Sequence, residues 1–485
     1  MDFFHSPFLI KINMRKSIIL YSIFFVLFSA KAQQVQWASK VIKFSSDLGG
    51  KQNGIKRILG KPDVFPQAGN SANAWTPKNA LDGREVVEVG FEKPQTVKQV
   101  AVFENLNAGC VVKISVDTGS GKYETVWNKK QNWNPPLYKM TLATDRGYYF
   151  KRKRRKIQEA PEAVNPGIVN AILDNAVANV VAVKVEFNFG LKPGQKQIDA
   201  IGISDSDTPI EAKINTNLIF ENLQETEIAA LDGLIPSNPI VSFDGQKLFF
   251  SDDTNEKECI FSCSKLPNGN WSLPTEESPI LSQNENYNYI MAHQADFILK
   301  GGLVYNRGTG ESGYEFLNSS YQSTGLLKIT AFNNYGDTSS ATITNDQKTL
   351  VMGIETDMTQ GGMDLYYTTR KEDGTYGFLQ NLGKTINSAA DDGMVYLLSN
   401  QKTLLYSSNG FSGFGDYDIY VSHRLDDTWK KWSEPVNLGS KINSTDFEGS
   451  PFYDEKSETL YYAKFIEGKS SLCATKIPLG ELTQN

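Results

Sequence analysis

Two neighbouring segments decide the fold, SNQKTLLYSS (399–408) and GDYDIYV (415–421). In the first, a polar turn precedes Leu404 and an apolar run, and in the second a Gly-containing turn precedes Asp418 and another apolar run. Such turn-and-run pairs are typical of consecutive antiparallel strands. The first pattern recurs along the chain, with aligned leucines 47 to 56 residues apart, in SFDGQKLFFS (242–251), a weaker KGGLVY (300–305), TNDQKTLVM (344–352) and DEKSETLYY (454–462).

The repeat length predicts a β-propeller. About 50 residues hold four antiparallel strands, and such four-stranded blades stack radially, so that each covers its neighbour's face. We therefore predict an all-β propeller over 237–485 with five blades, or six if the weak copy conceals another. The last copy stops one strand short. We expect the linker 209–236 to supply that strand and close the ring, with NLIFENL (217–223) as the candidate.

Four residues recur at equivalent places in the repeats, and we assign them structural roles. Asp364 and Asp418 each precede an apolar run and are expected to accept backbone N–H bonds in a turn. Trp271 and Trp432 each begin a Trp-Ser-x-Pro segment and are expected to pack within their blades. Repetition from blade to blade favours a structural role, because a functional site is needed only once.

These repeats resemble the WD40-like, TolB-type propeller repeat of exported Gram-negative envelope proteins. The resemblance rests on the turn-plus-strand core, the Gly-rich loop before DIY (418–420) and the closing sequence WSEPVNLGSKINS (432–444). It covers residues 237–478 and implies a relation to the propeller part of OmpA-like envelope proteins. It also implies that the partners are envelope or outer-membrane proteins, such as components of a secretion system.

Residues 33–208 predict a second domain, a jelly-roll β-sandwich. Short alternating runs such as VVEVGF (86–91) and QIDAIGI (197–203) are separated by turns, which is typical of half-buried strands. The order of an early Trp, paired strands and a final strand resembles the discoidin-like domain. We place an insertion at 129–178, in which the spacing of apolar residues over 168–173 indicates a helix.

Two features of this domain are candidate binding sites. Trp75, Trp127 and Trp133 could stack on a sugar ring or pack in the core, and Trp133 in NWNPP (132–136) is the strongest ligand candidate. Six consecutive cations could dock on an anionic surface or form a solvated loop. They are Lys151, Arg152, Lys153, Arg154, Arg155 and Lys156.

The N-terminus and the composition predict an exported protein. Residues 1–32 have the layout of a signal peptide, with Met14 as an alternative start, and we expect a location in the periplasm or at the outer membrane without a transmembrane segment. A net charge of −6 gives no electrostatic reason to bind nucleic acid. With three His and four Cys in 485 residues, we expect no metal site and no cofactor, and buried thiols at Cys259 and Cys263.

We expect a non-catalytic interaction scaffold, and not an enzyme. No Gly-x-Ser-x-Gly elbow of a serine hydrolase occurs in the sequence. The alternative is a carbohydrate-binding protein or a divergent five-bladed glycosidase, which needs a pair of inward carboxyl groups. Asp391 and Glu448 fall at equivalent places in two repeats, which indicates a structural role for both. The full set of candidate acids is Asp232, Asp296, Asp391, Asp392 and Glu448.

Overall fold

The computed structural model describes residues 33–136, 138, 165–228, 231, 233–255, 257–336, 339–466 and 468–484. The predicted signal peptide 1–32 and the basic run 151–156 lie outside these residues. In the part that is described, no helix is long and apolar enough to cross a membrane.

The first domain is a seven-stranded antiparallel sheet folded across itself. Its two longest strands pair along their whole length, and register shifts between Gly90 and Gln99 bend the pair in the middle. Val87 and Val89 before the bend share one hydrophobic core with Val100 and Val102 after it, so the two halves face each other like a sandwich. The strands are β1 (Val35–Trp37), β2 (Lys40–Phe44), β3 (Arg84–Glu104), β4 (Val111–Asp117), β5 (Glu124–Asn128), β6 (Gly167–Asn188) and β7 (Ala200–Ser204).

The end of the predicted insertion is a strand and not a helix. Residues 167–178 belong to β6, where Ile168, Val169 and Ala171 are buried. The apolar spacing that indicated a helix arises because β6 is covered on both faces near Glu104, so strict alternation is lost. The insertion within the sheet is therefore shorter than 129–178.

The second domain is a five-bladed propeller, as predicted. After β8 (Glu225–Glu227), blade 1 comprises β9 (Pro236–Val241), β10 (Lys247–Asp252), β11 (Cys259–Ser264) and β12 (Thr275–Glu276). Blade 2 comprises β13 (Tyr289–His293), β14 (Ile298–Gly301), β15 (Glu311–Leu317) and β16 (Ser323–Lys328). Blade 3 comprises β17 (Ser340–Ile343), β18 (Thr349–Ile354), β19 (Asp364–Thr369) and β20 (Gln380–Asn381). Blade 4 comprises β21 (Asp392–Leu397), β22 (Thr403–Ser408), β23 (Asp418–His423) and β24 (Val436–Asn437). Blade 5 comprises β25 (Phe447–Asp454), β26 (Thr459–Ile466) and β27 (Lys469–Lys476), and a short helix, α1 (Leu479–Thr483), follows it.

The ring closes through β8, which pairs with β27 as the outermost strand of blade 5. This strand lies two residues beyond the predicted candidate 217–223, which instead contains a short 3-10 helix, Phe220–Asn222. Phe220 packs into the core between blades 4 and 5, and this explains the apolar character of that segment. The Lys464 ammonium group reinforces the closure by pairing with Glu225 at 2.8 Å.

The repeated leucines form the cores between blades. Leu248, Leu350, Leu404 and Leu460 are each the second residue of their strand and have no exposed surface. In blade 2 this place belongs to Leu299, which is also fully buried, and not to the aligned Leu303. The alignment failed there because β14 ends at Gly301 and Leu303 already lies in the following turn.

Candidate functional site

A large cleft opens between the sandwich and the propeller. Its volume is about 1170 Å³, at or above the upper end of the range usual for small-molecule sites. The sandwich contributes the 3-10 helix Ile55–Ile58 and the loop 61–63, and the propeller contributes segments of blades 3 and 4. Residues 211–215 of the linker lie along the same opening. We call this space the sandwich–propeller cleft.

Buried polar side chains fix the sandwich onto the propeller beside this cleft. The Asn73 side chain accepts a hydrogen bond from the Ala389 amide at 2.8 Å and donates one to the Gly410 carbonyl at 2.6 Å. Gln67 donates to the Gly415 carbonyl, and both amide side chains are buried. A Cβ atom at Gly410 would lie 1.8 Å from Oγ of Ser388, so only glycine permits this approach.

The floor of the cleft is built on the Asp199 carboxylate. It accepts hydrogen bonds from the backbone amides of Asp63, Val64 and Phe65, at 3.0, 3.1 and 3.1 Å. These bonds place the Asp63 carboxyl group in the cleft lining, where no hydrogen-bond partner for it occurs among the described residues. Burial and the neighbouring Asp199 raise the pKa of Asp63 to about 8, against the opposing effect of Arg57.

Cations predominate around the opening. Three of them are engaged, because Lys51 donates to the Thr359 carbonyl, Lys61 pairs with Glu434 at 2.9 Å and Nε of Arg57 donates to the Lys51 carbonyl at 2.9 Å. The ammonium groups of Lys56, Lys213 and Lys384 make no hydrogen bond or ion pair in the part of the chain that the structure describes. The six cations that line the cleft are Lys51, Lys56, Arg57, Lys61, Lys213 and Lys384, and the acids are Asp47, Asp63, Glu211 and Glu434.

Aromatic rings line both walls. Phe44 and Trp37 belong to the sandwich wall, and Phe44 is 42% exposed. On the propeller wall, Phe411 packs edge-on against Tyr420 with ring centroids 5.6 Å apart. The cleft therefore combines exposed cationic groups with rings that a ligand could pack against.

None of the three predicted tryptophans lines this cleft. Trp75 has no exposed surface, and its Nε1 donates to the Ser46 carbonyl at 3.2 Å. Because a fully enclosed indole cannot stack on a sugar, the structure places Trp75 in the core, which is the alternative that the sequence left open for it. Trp127 and Trp133 pack edge-on at 5.7 Å and lie half-buried against the sandwich core.

The cleft residues carry no sequence signal of their own. Arg57 lies between apolar residues in IKRIL (55–59) and Asp63 follows a proline, and no spacing links either of them to Lys384 in blade 3's closing loop.

The repeat residues lie within the blades. Asp418 accepts hydrogen bonds from the Phe414 and Gly415 amides and from the Asn437 side chain, at 2.5, 3.1 and 2.8 Å. Asp364 holds the same position in blade 3, and burial raises its pKa to about 6. Trp432 is buried, and its Nε1 donates to the Trp429 carbonyl. Trp271 packs between blades 1 and 5 beside Tyr461.

The equivalent acids of blades 4 and 5 are Asp392 and Glu448, and not Asp391 and Glu448. Ser388 donates through its amide and its hydroxyl to Asp392, and Ser444 makes the same pair of bonds to Glu448. Asp391 instead accepts from the Met363 amide and the Tyr417 hydroxyl. Asp296 is exposed in a turn, and Asp232 lies outside the described residues.

Replacing Glu448 with Gln should change how stability depends on pH. Burial raises the pKa of Glu448 from 4.5 to about 8. Between these values the folded chain keeps a proton that the unfolded chain has lost, so stability falls as pH rises. The free energy of unfolding of wild type minus that of E448Q should therefore decrease from about pH 5 to pH 8 and then level off.

Urea unfolding of both proteins at several pH values measures this difference. The other carboxyl groups with raised pKa values, such as Asp63 and Asp364, occur in both proteins, so their effects cancel. A difference that stays constant from about pH 5 to pH 8 would contradict the raised pKa of Glu448.

The cysteines form no disulfide in this structure. Cys110, Cys263 and Cys473 are buried and Cys259 is partly exposed, all as free thiols. Within the described ranges, no group of three or more His, Cys, Asp or Glu side chains could hold a metal ion.

Comparison with known proteins shows similarity of the fold only. No protein-family model and no curated protein matches the chain. Among solved structures, TolB from Acinetobacter baumannii is 12% identical, with 50% of this chain and 54% of TolB covered and a TM-score of 0.32. The match thus spans about half the length of TolB. An endo-arabinase from Bacteroides thetaiotaomicron is 15% identical over 53% of this chain and 98% of its own, with a TM-score of 0.33. The catalytic domain of a GH62 α-L-arabinofuranosidase from Coprinopsis cinerea is 10% identical over 52% and 96%, with a TM-score of 0.34.

The molecule is thus an all-β protein with a five-bladed propeller. Our prediction that it is not an enzyme is wrong as an inference from this fold. Several of the similar structures are glycoside hydrolases, and the propeller fold is compatible with enzymes. The discoidin-like assignment and the relation to OmpA-like proteins stay predictions.

Proposed function

We propose that this chain is an exported interaction scaffold of a bacterial envelope that holds its ligand in the sandwich–propeller cleft. The observation that carries the proposal is the joint construction of the cleft. Its walls come from two different domains, and buried amide hydrogen bonds from Asn73 fix their relative position. A preformed cleft at a domain interface is the usual place for a ligand site.

The location in the periplasm or at the outer membrane is part of this proposal. It is supported by the signal-peptide layout of residues 1–32 and by the TolB-type character of the repeats. Fractionation of cells that express the full chain should recover it with the periplasm or the outer membrane. Recovery in the cytosol would contradict the proposed location.

Affinity purification from native envelopes tests the proposed function. Wild type should recover a defined set of envelope components, and the double variant Lys213→Glu with Lys384→Glu should lose them, because it reverses two free cations of the cleft. The matched control is Lys371→Glu with Lys402→Glu, which makes the same charge change at exposed turns outside the cleft. Equal recovery by all three proteins would contradict a role for the cleft.

A second candidate is carbohydrate binding, with or without turnover as in a divergent five-bladed glycosidase. Phe44, Trp37 and Phe411 favour it, since aromatic rings on both walls offer apolar faces in an otherwise polar cleft. Incubation of the full chain with a panel of soluble oligosaccharides tests binding and turnover together. Retention without product formation supports binding, and released fragments support turnover.

A further inference from the structure

We propose that the sandwich–propeller cleft binds a carboxylate-bearing oligosaccharide, with Arg57 and Asp63 holding one carboxylate at the floor. The proposal rests on the proposed function only in placing the ligand in this cleft. It adds the chemical class of the ligand and the residues that recognise it.

The charges around the cleft favour an anion. Lys56, Lys213 and Lys384 line the cleft, and their ammonium groups make no hydrogen bond or ion pair with another described residue. Of the four acids, Asp47 is engaged by the Ile55 amide at 2.9 Å and Glu434 by Lys61. The whole chain carries a net charge of −6, whereas the cleft is lined by more cations than acids, so an anion is attracted to the cleft more than to the rest of the surface.

The floor offers two donors to a carboxylate. Below about pH 8 the Asp63 carboxyl group carries a proton and has a donor to offer. Arg57 uses its Nε to donate to the Lys51 carbonyl at 2.9 Å, and no partner for its two terminal nitrogens occurs among the described residues. A guanidinium group beside a protonated carboxyl can hold one carboxylate by several charge-assisted hydrogen bonds.

The charged neighbours of this pair come from both domains. Asp199 lies next to Asp63 in the sandwich, and Asp364 and Asp392 of the propeller are charged or titratable neighbours of Arg57. Burial raises the pKa of Asp364 to about 6, so above that pH its carboxylate attracts the Arg57 guanidinium group. Asp199, Asp364 and Asp392 each accept a hydrogen bond from a backbone amide, and the described residues show no hydrogen bond from the Arg57 terminal nitrogens to any of them.

The walls favour a sugar over a peptide. Phe44 and Phe411 present rings on opposite walls, and the C–H faces of sugar rings pack on the electron-rich faces of aromatic rings. The Gln360 and Thr385 side chains, which make no hydrogen bond to another described residue, can bond to sugar hydroxyl groups. A volume of about 1170 Å³ has room for several sugar rings, whereas extended peptides usually bind along strand edges or apolar grooves.

Calorimetry on the full chain tests the proposal with one pair of probes. The probes are a short oligomer of galacturonic acid and the same oligomer with its carboxyl groups methyl-esterified, which removes the charge and adds one methyl group per residue. We expect binding of the acid form, and binding of the ester weaker by about tenfold or more. This comparison needs no variant, so it stands even if a substitution fails to fold.

Two variants test the floor. Arg57→Gln should weaken binding of the acid form by about tenfold or more, while Lys371→Gln, an exposed position outside the cleft, should leave it unchanged. Asp63→Asn keeps a donor but cannot ionise. Wild-type affinity should fall between about pH 7 and pH 9 as Asp63 loses its proton, and that of D63N should not.

Three results would overturn the proposal. They are no binding of the acid oligomer, equal affinity for the acid and the ester, and unchanged affinity in a folded R57Q protein. If the envelope purification nevertheless depends on Lys213 and Lys384, the cleft remains the functional site and its ligand is a different class, such as an acidic protein segment.

Discussion

Replacing Leu404 with Ala should lower the free energy of unfolding by about 2–5 kcal/mol. Leu404 has no exposed surface and packs in the cluster between blades 3 and 4, against Val351 and Leu365 of the preceding blade. Removing three side-chain carbons there loses their transfer free energy and leaves a cavity that a rigid stack of sheets cannot fill. Urea-induced unfolding followed by tryptophan fluorescence measures the loss.

Leu425→Ala is the matched control. Leu425 lies in the same blade, in the turn after β23, and is 56% exposed. The same chemical change there should alter stability by no more than about 0.5 kcal/mol. If the two variants unfold at the same urea concentration, Leu404 does not anchor the contact between blades.

Asn73→Asp should separate the sandwich from the propeller, at a cost of about 2–4 kcal/mol. The carboxylate would place an oxygen against the Gly410 carbonyl, where Asn73 now donates a hydrogen bond at 2.6 Å. Asn73 is buried, so water cannot take over the lost bond. The variant must expel the carboxylate, protonate it or open the interface.

Limited proteolysis combined with urea unfolding measures this effect. We expect faster cleavage in the linker 209–224 and, where the domains uncouple, two unfolding transitions in place of one. Asn268→Asp is the control, since Asn268 is exposed and uses only its oxygen, to accept from the Asn270 amide at 3.0 Å. If N73D unfolds as N268D does, the buried amide contact does not hold the domains together.

The blade cores could be predicted from the sequence because they obey a local rule. Leu350, Leu404 and Leu460 each follow a polar turn at a fixed distance, and the period of the pattern equals the length of one blade. Where the turn is degenerate, as at 300–305, the alignment chose Leu303 and the structure has Leu299. The prediction failed there because one residue type alone does not fix the register.

The closing strand and the long strand β6 show a second limit. Apolar character predicts 217–223 as the closing strand, but the edge strand Glu225–Glu227 is polar and exposed. An outermost strand needs only backbone hydrogen bonds, so hydrophobicity does not mark it. In β6, burial on both faces near Ile168 removed the alternation that identifies a strand.

The sequence by itself determined the architecture: an all-β chain, a propeller of about five repeats and the residues that fill its cores. These follow from short-range patterns, because a turn and the two strands it joins are neighbours along the chain. Only the tertiary structure decided where a ligand can bind. Arg57 and Asp63 face Lys384 across more than 300 residues of sequence, and the docking of Asn73 on Gly410 brings them together. No local pattern encodes that proximity, since it depends on how two complete domains pack.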